Sequence, residues 1–218
     1  MTELRTKLDT GLEKLGLELP EAVREGLVAY VQMLARWNKA YNLTAIRDPL
    51  EMVTRHLLDS LAVVPHLQAE RVIDVGTGGG LPGIPLSLVF PEREFVLLDS
   101  NSKKTRFLVQ AKAELGLENV TVVHGRVEDY HPQPAFDAVI TRAFASVADI
   151  LTSSRHLLKP GGEFLAMKGT VPVDELSCLP PGFHLEEVIE LKVPGLEREH
   201  RHLLRIVSDA SAGRLEEN

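Results

Sequence analysis

The sequence is short of several features, and each shortage removes a class of function. Cys178 is the only cysteine among 218 residues, which excludes an internal disulfide and a cysteine-rich zinc site and fits a reducing compartment. No apolar run approaches the roughly 18 residues a bilayer span needs. The opening MTELRTKLDTGLEKLG alternates charges with leucines and builds no apolar signal core. A cytoplasmic location is expected. Basic residues are outnumbered, 24 Lys and Arg against 31 Asp and Glu, for a net charge of −7; a free-standing nucleic-acid binder usually carries the opposite balance. The histidines are scattered, the nearest pair being His200 and His202, and no carboxylate or cysteine spacing supports them as ligands, so no metal is expected. A G-x-S-x-G elbow, a P-loop and an H-E-x-x-H helix are all missing.

What remains is ordinary globular material, 44% hydrophobic and 25% charged, long enough for one large α/β domain with a small extension. Its centre is RVIDVGTGGGLPGIPLSLVFPEREFVLLDS, residues 71–100. Val72, Ile73 and Val75 form a short β-branched run that reads as a buried strand, followed at once by Gly76, Gly78, Gly79 and Gly80. Glycines there let the backbone take positive φ and let N–H groups come close to a ligand. A helix from Leu81 to Phe90 and a strand from Glu94 to Leu98 complete a βαβ unit ending at Asp99. Such units bind nucleoside-bearing ligands at the carboxyl ends of their strands, and an acid about 20 residues beyond the glycines suits two ribose hydroxyls. Residues 78–83 also match G-x-G-x-x-G, so a nicotinamide reading stands beside an S-adenosylmethionine reading. Asp74 favours the latter: a negative charge there opposes a pyrophosphate and suits an amino-acid ammonium. Pro82 and Pro85 also disturb the helix start that a pyrophosphate needs.

Upstream, leucines at 4, 8, 12 and 15 predict a short amphipathic helix, and Val23, Leu27, Tyr30, Val31, Leu34 and Trp37 predict a longer one starting at Pro20. The far end of this helix, Arg36 to Thr44, mixes basic, aromatic and amide side chains in a way a pure core helix does not need; the alternative is that Trp37 and Tyr41 cover the sheet edge while the polar groups are solvated. Asp48, Pro49 and Glu51 form a capping-box start for a helix running to about Val64. Downstream, a helix over 101–116, strands over 120–123, 136–140 and 163–167, a helix over 146–158, and a hairpin of 185–191 with 203–207 complete the pattern. Basic residues gather at Arg36, Lys39, Arg47 and Arg55, at Lys103, Lys104 and Arg106, and at Arg198, Arg201 and Arg205. Taken singly each group reads as a solvated face; brought to one rim they would bind phosphate. The loop TRAFAS at 141–146 is not the Asn/Asp-Pro-Pro-aromatic loop of exocyclic-amine methylation, and Cys178 lies away from the sheet edge, against a cysteine nucleophile.

Nearly end to end, the chain resembles the GidB/RsmG family, the bacterial 16S ribosomal RNA guanine-N7 methyltransferases. The resemblance is carried by RWNKAYNLTAIRDPLEMVTRHLLDS at 36–60, DVGTGGGLPGIPL at 74–86, LLDSNSKKTRFL at 97–108, GRVEDY at 125–130, TRAFAS, MKG at 167–169 and EREHRHL at 197–203. It implies a class I S-adenosylmethionine-dependent, Rossmann-like α/β fold with a mostly parallel seven-stranded sheet and helices on both faces. An N-terminal helical extension over 1–68, a methyltransferase domain over 69–209 and a frayed tail over 210–218 are expected.

The resemblance also implies roles. Asp74, Gly76, Gly78, Leu81, Asp99, Val127, Glu128 and Arg142 are expected to bind the cofactor, Val127 and Glu128 on its adenine side. Arg142 and Lys168 are expected to do the catalytic work at the guanine, and Lys103, Lys104, Arg106 and Arg201, with Arg142 and Lys168, to hold RNA. Glu128 with Asp129 also reads as a helix N-terminal acid pair. The acceptor implied is a guanine in the 530 loop of 16S RNA, in a 30S particle or an assembly intermediate, met by a monomer. A different RNA or small-molecule acceptor, or a ribosome-binding module without activity, is the alternative. Gly79 stands where relatives often carry alanine or proline, which makes the loop more flexible.

Overall fold

Alternation along the strands separates two apolar cores on opposite faces of one sheet. In the computed structural model, which describes residues 2–142 and 146–209, the strands are β1 (Arg71–Val75), β2 (Glu94–Asp99), β3 (Val120–His124), β4 (Phe136–Thr141), β5 (Leu158–Lys168), β6 (Phe183–Glu190) and β7 (His202–Ser208). Val72, Phe95, Leu97, Ala138, Ile140, Leu165, Met167 and Leu203 share one core. Ile73, Val75, Val96, Leu98, Val139, Phe164, Ala166, Leu204 and Ile206 share the other. Period-2 side chains apolar on both faces are what a sheet covered on both sides requires.

The sheet order is β3-β2-β1-β4-β5-β7-β6. Neighbouring strands from β3 to β5 are parallel, whereas β7 is antiparallel to both β5 and β6. The expected hairpin forms, with the last strand inserted between β5 and β6. β1 and β4 lie side by side while the chain leaves them in opposite directions, which makes their carboxyl ends the switch point where open α/β sheets hold ligands.

The first core is covered by α1 (Thr2–Leu15), α2 (Glu21–Tyr41), α5 (Gly83–Val89) and α6 (Ser102–Leu115), and by the segment that follows α2. The second is covered by α7 (Val147–Ser154). Asn101 caps α6 by accepting from the Lys103 N–H, and Gly116 closes it with φ 64°. Trp37 does not cover the sheet edge. It packs edge-on against Phe107 of α6, ring centroids 5.6 Å apart, and its neighbour Asn38 is buried rather than solvated.

The helix expected from Asp48 to Val64 is broken into pieces. α3 (Pro49–Met52) starts as expected, Asp48 accepting from the Leu50 N–H at 3.0 Å. A π-helical turn over Val53–Leu58 follows, then α4 (Asp59–Leu61) and a 3-10 turn over Val64–His66. π-turns are rare insertions that rotate everything downstream and recur at functional sites. Here the turn carries Arg55 and His56 and leads into Asp59. Elsewhere β5 begins five residues earlier than the pattern suggests, at Leu158, and α7 gives way to a 3-10 turn over Arg155–Leu157. No helix among the described residues is long and apolar enough to cross a membrane. The tail 210–218 lies outside the described residues.

α1 packs on the π-turn at Gly11, where an added Cβ would overlap the buried Leu58 side chain. Gly11→Ala should therefore destabilise the fold by about 1–3 kcal/mol, the usual effect of overpacking, although alanine favours helix. Urea denaturation checks this, and an unchanged or raised midpoint would show that Leu58 yields freely.

Candidate active site

Asp74 builds the first half of the site from inside the sheet. Fully buried in β1, it accepts through one oxygen, Oδ2, from the Thr77 hydroxyl at 2.6 Å and the Gly83 N–H at 2.8 Å. The turn between those two donors is thereby closed, and a Cβ on Gly83 would run into both Leu97 and Asp74 Oδ2. Gly76, Gly78 and Gly80 all take positive φ, 68°, 62° and 91°, a conformation costly for any residue with a Cβ. The Leu98 carbonyl takes the Gly76 and Thr77 N–H groups, and Asp99 Oδ2 takes the Gly78 N–H at 2.9 Å. From the far side the fully buried Tyr30 hydroxyl of α2 donates to the Gly79 carbonyl at 2.6 Å. That bond restrains the loop where the extra glycine loosens it.

In front of this loop lies a cavity of about 440 Å³ lined by Val75, Gly76, Leu98, Asp99, Ser100, Lys104, Gly125, Arg126, Val127 and Glu128. Each Asp99 oxygen already accepts one N–H, from Gly78 or Asn101, and keeps a second lone pair. Lys104 approaches the same carboxylate at 3.7 Å. Val127, in the 3-10 turn Val127–Asp129, adds an apolar wall. Burial lifts the Asp74 carboxyl to about 6, the bonds from Thr77 and Gly83 holding it back.

A second cavity, about 400 Å³, opens across the switch point at the ends of β4 and β5. Arg55, His56, Asp59, Arg142, Lys168, Arg201 and His202 line it with Ile46, Met167, Gly169 and Leu191. Asp59 is buried between two guanidiniums, Arg201 Nε at 3.2 Å from Oδ1 and Arg142 Nη1 at 3.5 Å from Oδ2. Burial raises its carboxyl above the ordinary range against the pull of both arginines. Outside them Glu199 joins Arg55 at 2.7 Å to Arg201 at 2.8 Å.

His56 is fixed by bookkeeping of protons. Its Nδ1 lies 3.0 Å from the Arg55 carbonyl, which can only accept, so Nδ1 carries the hydrogen. Nε2, 2.9 Å from Thr44 Oγ1, then accepts the Thr44 hydroxyl, which itself accepts from the Ile46 N–H. Burial first, and the charge of Arg142 second, push the imidazole down to about 4, so it is neutral at physiological pH. Asn38 of α2 holds the same loop, accepting from the Thr44 N–H and donating to the Ile46 carbonyl.

Residues 24–204 match the family model for GidB, rRNA small subunit methyltransferase G. The chain belongs to the GidB family. It is 56% identical over 200 residues to ribosomal RNA small subunit methyltransferase G of Hydrogenovibrio crunogenus, covering 92% of each chain, and 54% identical over 204 residues to the protein of that name from Yersinia enterocolitica, covering 93% and 98%. Among solved structures it resembles a Klebsiella pneumoniae O-methyltransferase described as putative (TM-score 0.56, 14% identity, 83% and 90% covered). It also resembles M. jannaschii TYW2 in complex with AdoMet (TM-score 0.51, 19% identity, 64% and 69% covered). At those identities the likeness is one of fold, the class I methyltransferase sheet.

Seen on this GidB-family fold, the residues singled out from sequence divide. Gly76, Asp99, Val127 and Glu128 converge on the first cavity, and Lys104, assigned to RNA, joins them there. Arg142, assigned to the cofactor as well as to the substrate, faces the second cavity with Lys168 and Arg201. Asp74, Gly78 and Leu81 line neither; Asp74 and Gly78 shape the loop through the bonds above, and the Leu81 N–H is spent on the Thr77 carbonyl at 3.0 Å. Lys103 and Arg106 are exposed on the outer face of α6. Arg205 does not reach the rim: it donates to the His66 carbonyl and pairs with Glu163. Arg36 pairs with Glu114 instead. Ala143, Phe144 and Ala145 of the TRAFAS loop lie outside the described residues. Arg55, one of the basic residues expected to bind phosphate, lines the second cavity, whereas Ser100, Gly125 and Arg126 in the first, and His56, Asp59 and His202 in the second, carry no role in the sequence reading. The His56 and Asp59 signal was present, as polar residues spaced into an apolar helix. Among the described residues no three His, Cys, Asp or Glu side chains form a metal-sized cluster.

Asp74 gives a pH signature. Its folded value is about 6 against an ordinary 3.8, so between those values the folded state holds a proton that the unfolded chain has lost. Its contribution to stability is therefore fully present below about 4 and declines as pH rises to about 6. Asp74→Asn should remove that decline, seen as a wild-type-minus-variant difference in melting temperature that changes across this window; a pH-independent difference would contradict it.

Proposed function

We propose that this chain transfers a methyl group from S-adenosylmethionine to N7 of a guanine in the 530 loop of 16S ribosomal RNA. One observation carries the reading within the GidB family: the carboxyl edge of the sheet holds two cavities, one suited to a nucleoside and one walled by four basic side chains. The first fits S-adenosylmethionine. Asp99 keeps acceptor lone pairs for ribose hydroxyls, Gly76 and Gly125 leave the approach open, and Val127 offers a surface for adenine. Glu128 borders the same wall, and Asp74 lends negative charge behind the loop. S-adenosylmethionine, when bound, supplies an electrophilic methyl.

The protein's own part in the reaction is to bind and orient. Guanine N7 carries a lone pair and no proton, so attack requires no general base, and proximity and alignment do most of the work. The second cavity agrees with that need. His56 has its lone pair taken by Thr44, and both Asp59 oxygens face arginines, so neither stands ready to accept a proton. Arg142 and Lys168 hold the O6 edge or adjoining phosphates, and Arg201 anchors RNA; arginine and lysine suit O6, while a donor placed on N7 itself would block the nucleophile. Asp59 and Glu199 temper the positive charge of this wall as the purine ring turns cationic. The base must be unstacked or presented by a loop to reach this depth. Lys103 and Arg106 lie outward as further phosphate contacts. Residues 69–209 act as the methyltransferase domain, residues 1–68 as its extension, in a cytoplasmic monomer that needs no metal and works on a 30S particle or an assembly intermediate.

Incubation of the protein and labelled S-adenosylmethionine with 16S RNA, or with 30S subunits lacking the modification, should place label on a guanine N7 in the 530 loop. Label on a different base, or RNA binding without transfer, overturns the reading. In the same assay Asp99→Ala should weaken cofactor affinity by about 10- to 100-fold, the effect of losing hydrogen bonds to a charged group; unchanged affinity would remove Asp99 from the cofactor site.

A further inference from the structure

The second cavity contains a buried carboxylate that methyl transfer to N7 does not call for. Asp59 has no proton to take from the nucleophile, yet its side chain is 6% exposed and sits between the two guanidiniums that face the substrate. A buried carboxylate is destabilising unless its charge is matched. Its value must lie in what it does to its neighbours.

We propose that Asp59 is a positioning residue for the transfer, holding Arg142 and Arg201 apart at a set spacing so that they meet the target nucleotide as one preformed fork. The inference rests on the reading of this cavity as the guanine site. Three observations carry it. First, each guanidinium uses a different oxygen of the same carboxylate, Arg201 on Oδ1 and Arg142 on Oδ2. Their separation is therefore that of the two carboxylate oxygens plus two contact distances. Second, each arginine has another fixed partner. Arg142 Nη1 also donates to the Arg55 carbonyl at 3.3 Å, and Arg201 donates to the His200 carbonyl and to Glu199, both at 2.8 Å. Third, Arg55 and Asp59 belong to the π-turn and the residue that follows it. The turn presents the Arg55 carbonyl and the Asp59 carboxylate to the same group, Arg142 Nη1. His56 donates its Nδ1–H to that same carbonyl and anchors it. Without Asp59 two like charges would face each other across a partly buried cavity, and ordering them would fall to the RNA. A fork assembled beforehand spares that ordering on binding.

The test is steady-state kinetics on 30S subunits lacking the modification, with cofactor binding measured separately by calorimetry using S-adenosylhomocysteine. Asp59→Asn should lower kcat/KM for the RNA substrate by about 30-fold or more, as expected for breaking a buried charge pair, with S-adenosylhomocysteine affinity within about twofold of wild type. The double variant Asp59→Asn with Arg201→Gln should be little worse than either single variant, because residues acting through one another are not additive. Multiplicative losses, or kcat/KM kept within about twofold, overturn the proposal. So does a parallel loss of cofactor affinity, which would mark a merely structural role. Should Asp59→Asn fail to fold, Glu199→Gln tests the same fork from its exposed side: KM for RNA should rise about 3- to 10-fold with kcat near wild type, and an unchanged KM overturns the proposal. A wild-type protein that methylates no RNA would instead sink the guanine-site reading, so the two failures are separable.

Discussion

The carboxyl edge of the sheet is organised by one buried carboxylate oxygen. Asp74 Oδ2 gathers the Thr77 hydroxyl and the Gly83 N–H, and so sets both the path of the glycine loop and the start of α5. The rest of the first cavity follows from that closure. The Gly76 and Thr77 N–H groups turn to Leu98, the Gly78 N–H turns to Asp99, and the Gly79 carbonyl turns back to Tyr30. The other oxygen, Oδ1, is buried without a hydrogen-bond partner among the described residues. That imbalance explains why burial prevails over two good hydrogen bonds in setting the proton affinity of this group.

A second constraint comes from α2. Tyr30, Leu34 and Asn38 recur every four residues and so lie on one stripe of the helix. Tyr30 bonds the glycine loop, and the Leu34 side chain packs under it, 3.1 Å from where a Cβ on Gly79 would sit. One turn further on, Asn38 holds the 44–46 loop, whose Thr44 occupies the His56 Nε2 lone pair and whose Ile46 lines the second cavity. The two cavities thus rest on one rigid element from outside the sheet, and the polar character of a helix end that looked solvated is used up internally.

The sheet and its ligand edge were largely legible, because period-2 apolar runs, glycine clusters and terminal acids are local signals. Asp99 could be placed at a strand end from position, and Val127 and Glu128 beside it through the family resemblance. Legibility failed where function depends on where a chain turns in three dimensions. Lys104 and Arg106 are alike as basic residues of one helix, and only the direction of each, toward Asp99 or toward solvent, assigns one to a cavity. Arg201 and Arg205 likewise differ by four positions along β7 and its approach, yet one reaches Asp59 and the other pairs with Glu163. Asp59 was visible as a polar residue in an apolar helix, but the π-turn hid its direction, since ordinary helical spacing gives no account of where residues after such an insertion point. Asp74 was located correctly at the strand end, but its neighbours Thr77 and Gly83 show that a ligand-facing acid and a loop brace have the same one-dimensional signature.

The shared core has a consequence for how the chain is made. α1 and α2 leave the ribosome before the strands do, and Tyr30 and Leu34 are buried against residues that come later, among them Gly79 and Phe107. For as long as those partners are untranslated, two amphipathic helices must wait with their apolar stripes uncovered, a situation that invites aggregation. Local contacts ease the wait. Arg5 reaches Asp9 and Glu21, and Arg24 reaches Asp9 and Glu21, so the pair can fold onto itself as a hairpin before any strand exists. The helix that bears on both cavities is thus made before the sheet it serves, and is held ready until that sheet closes over it.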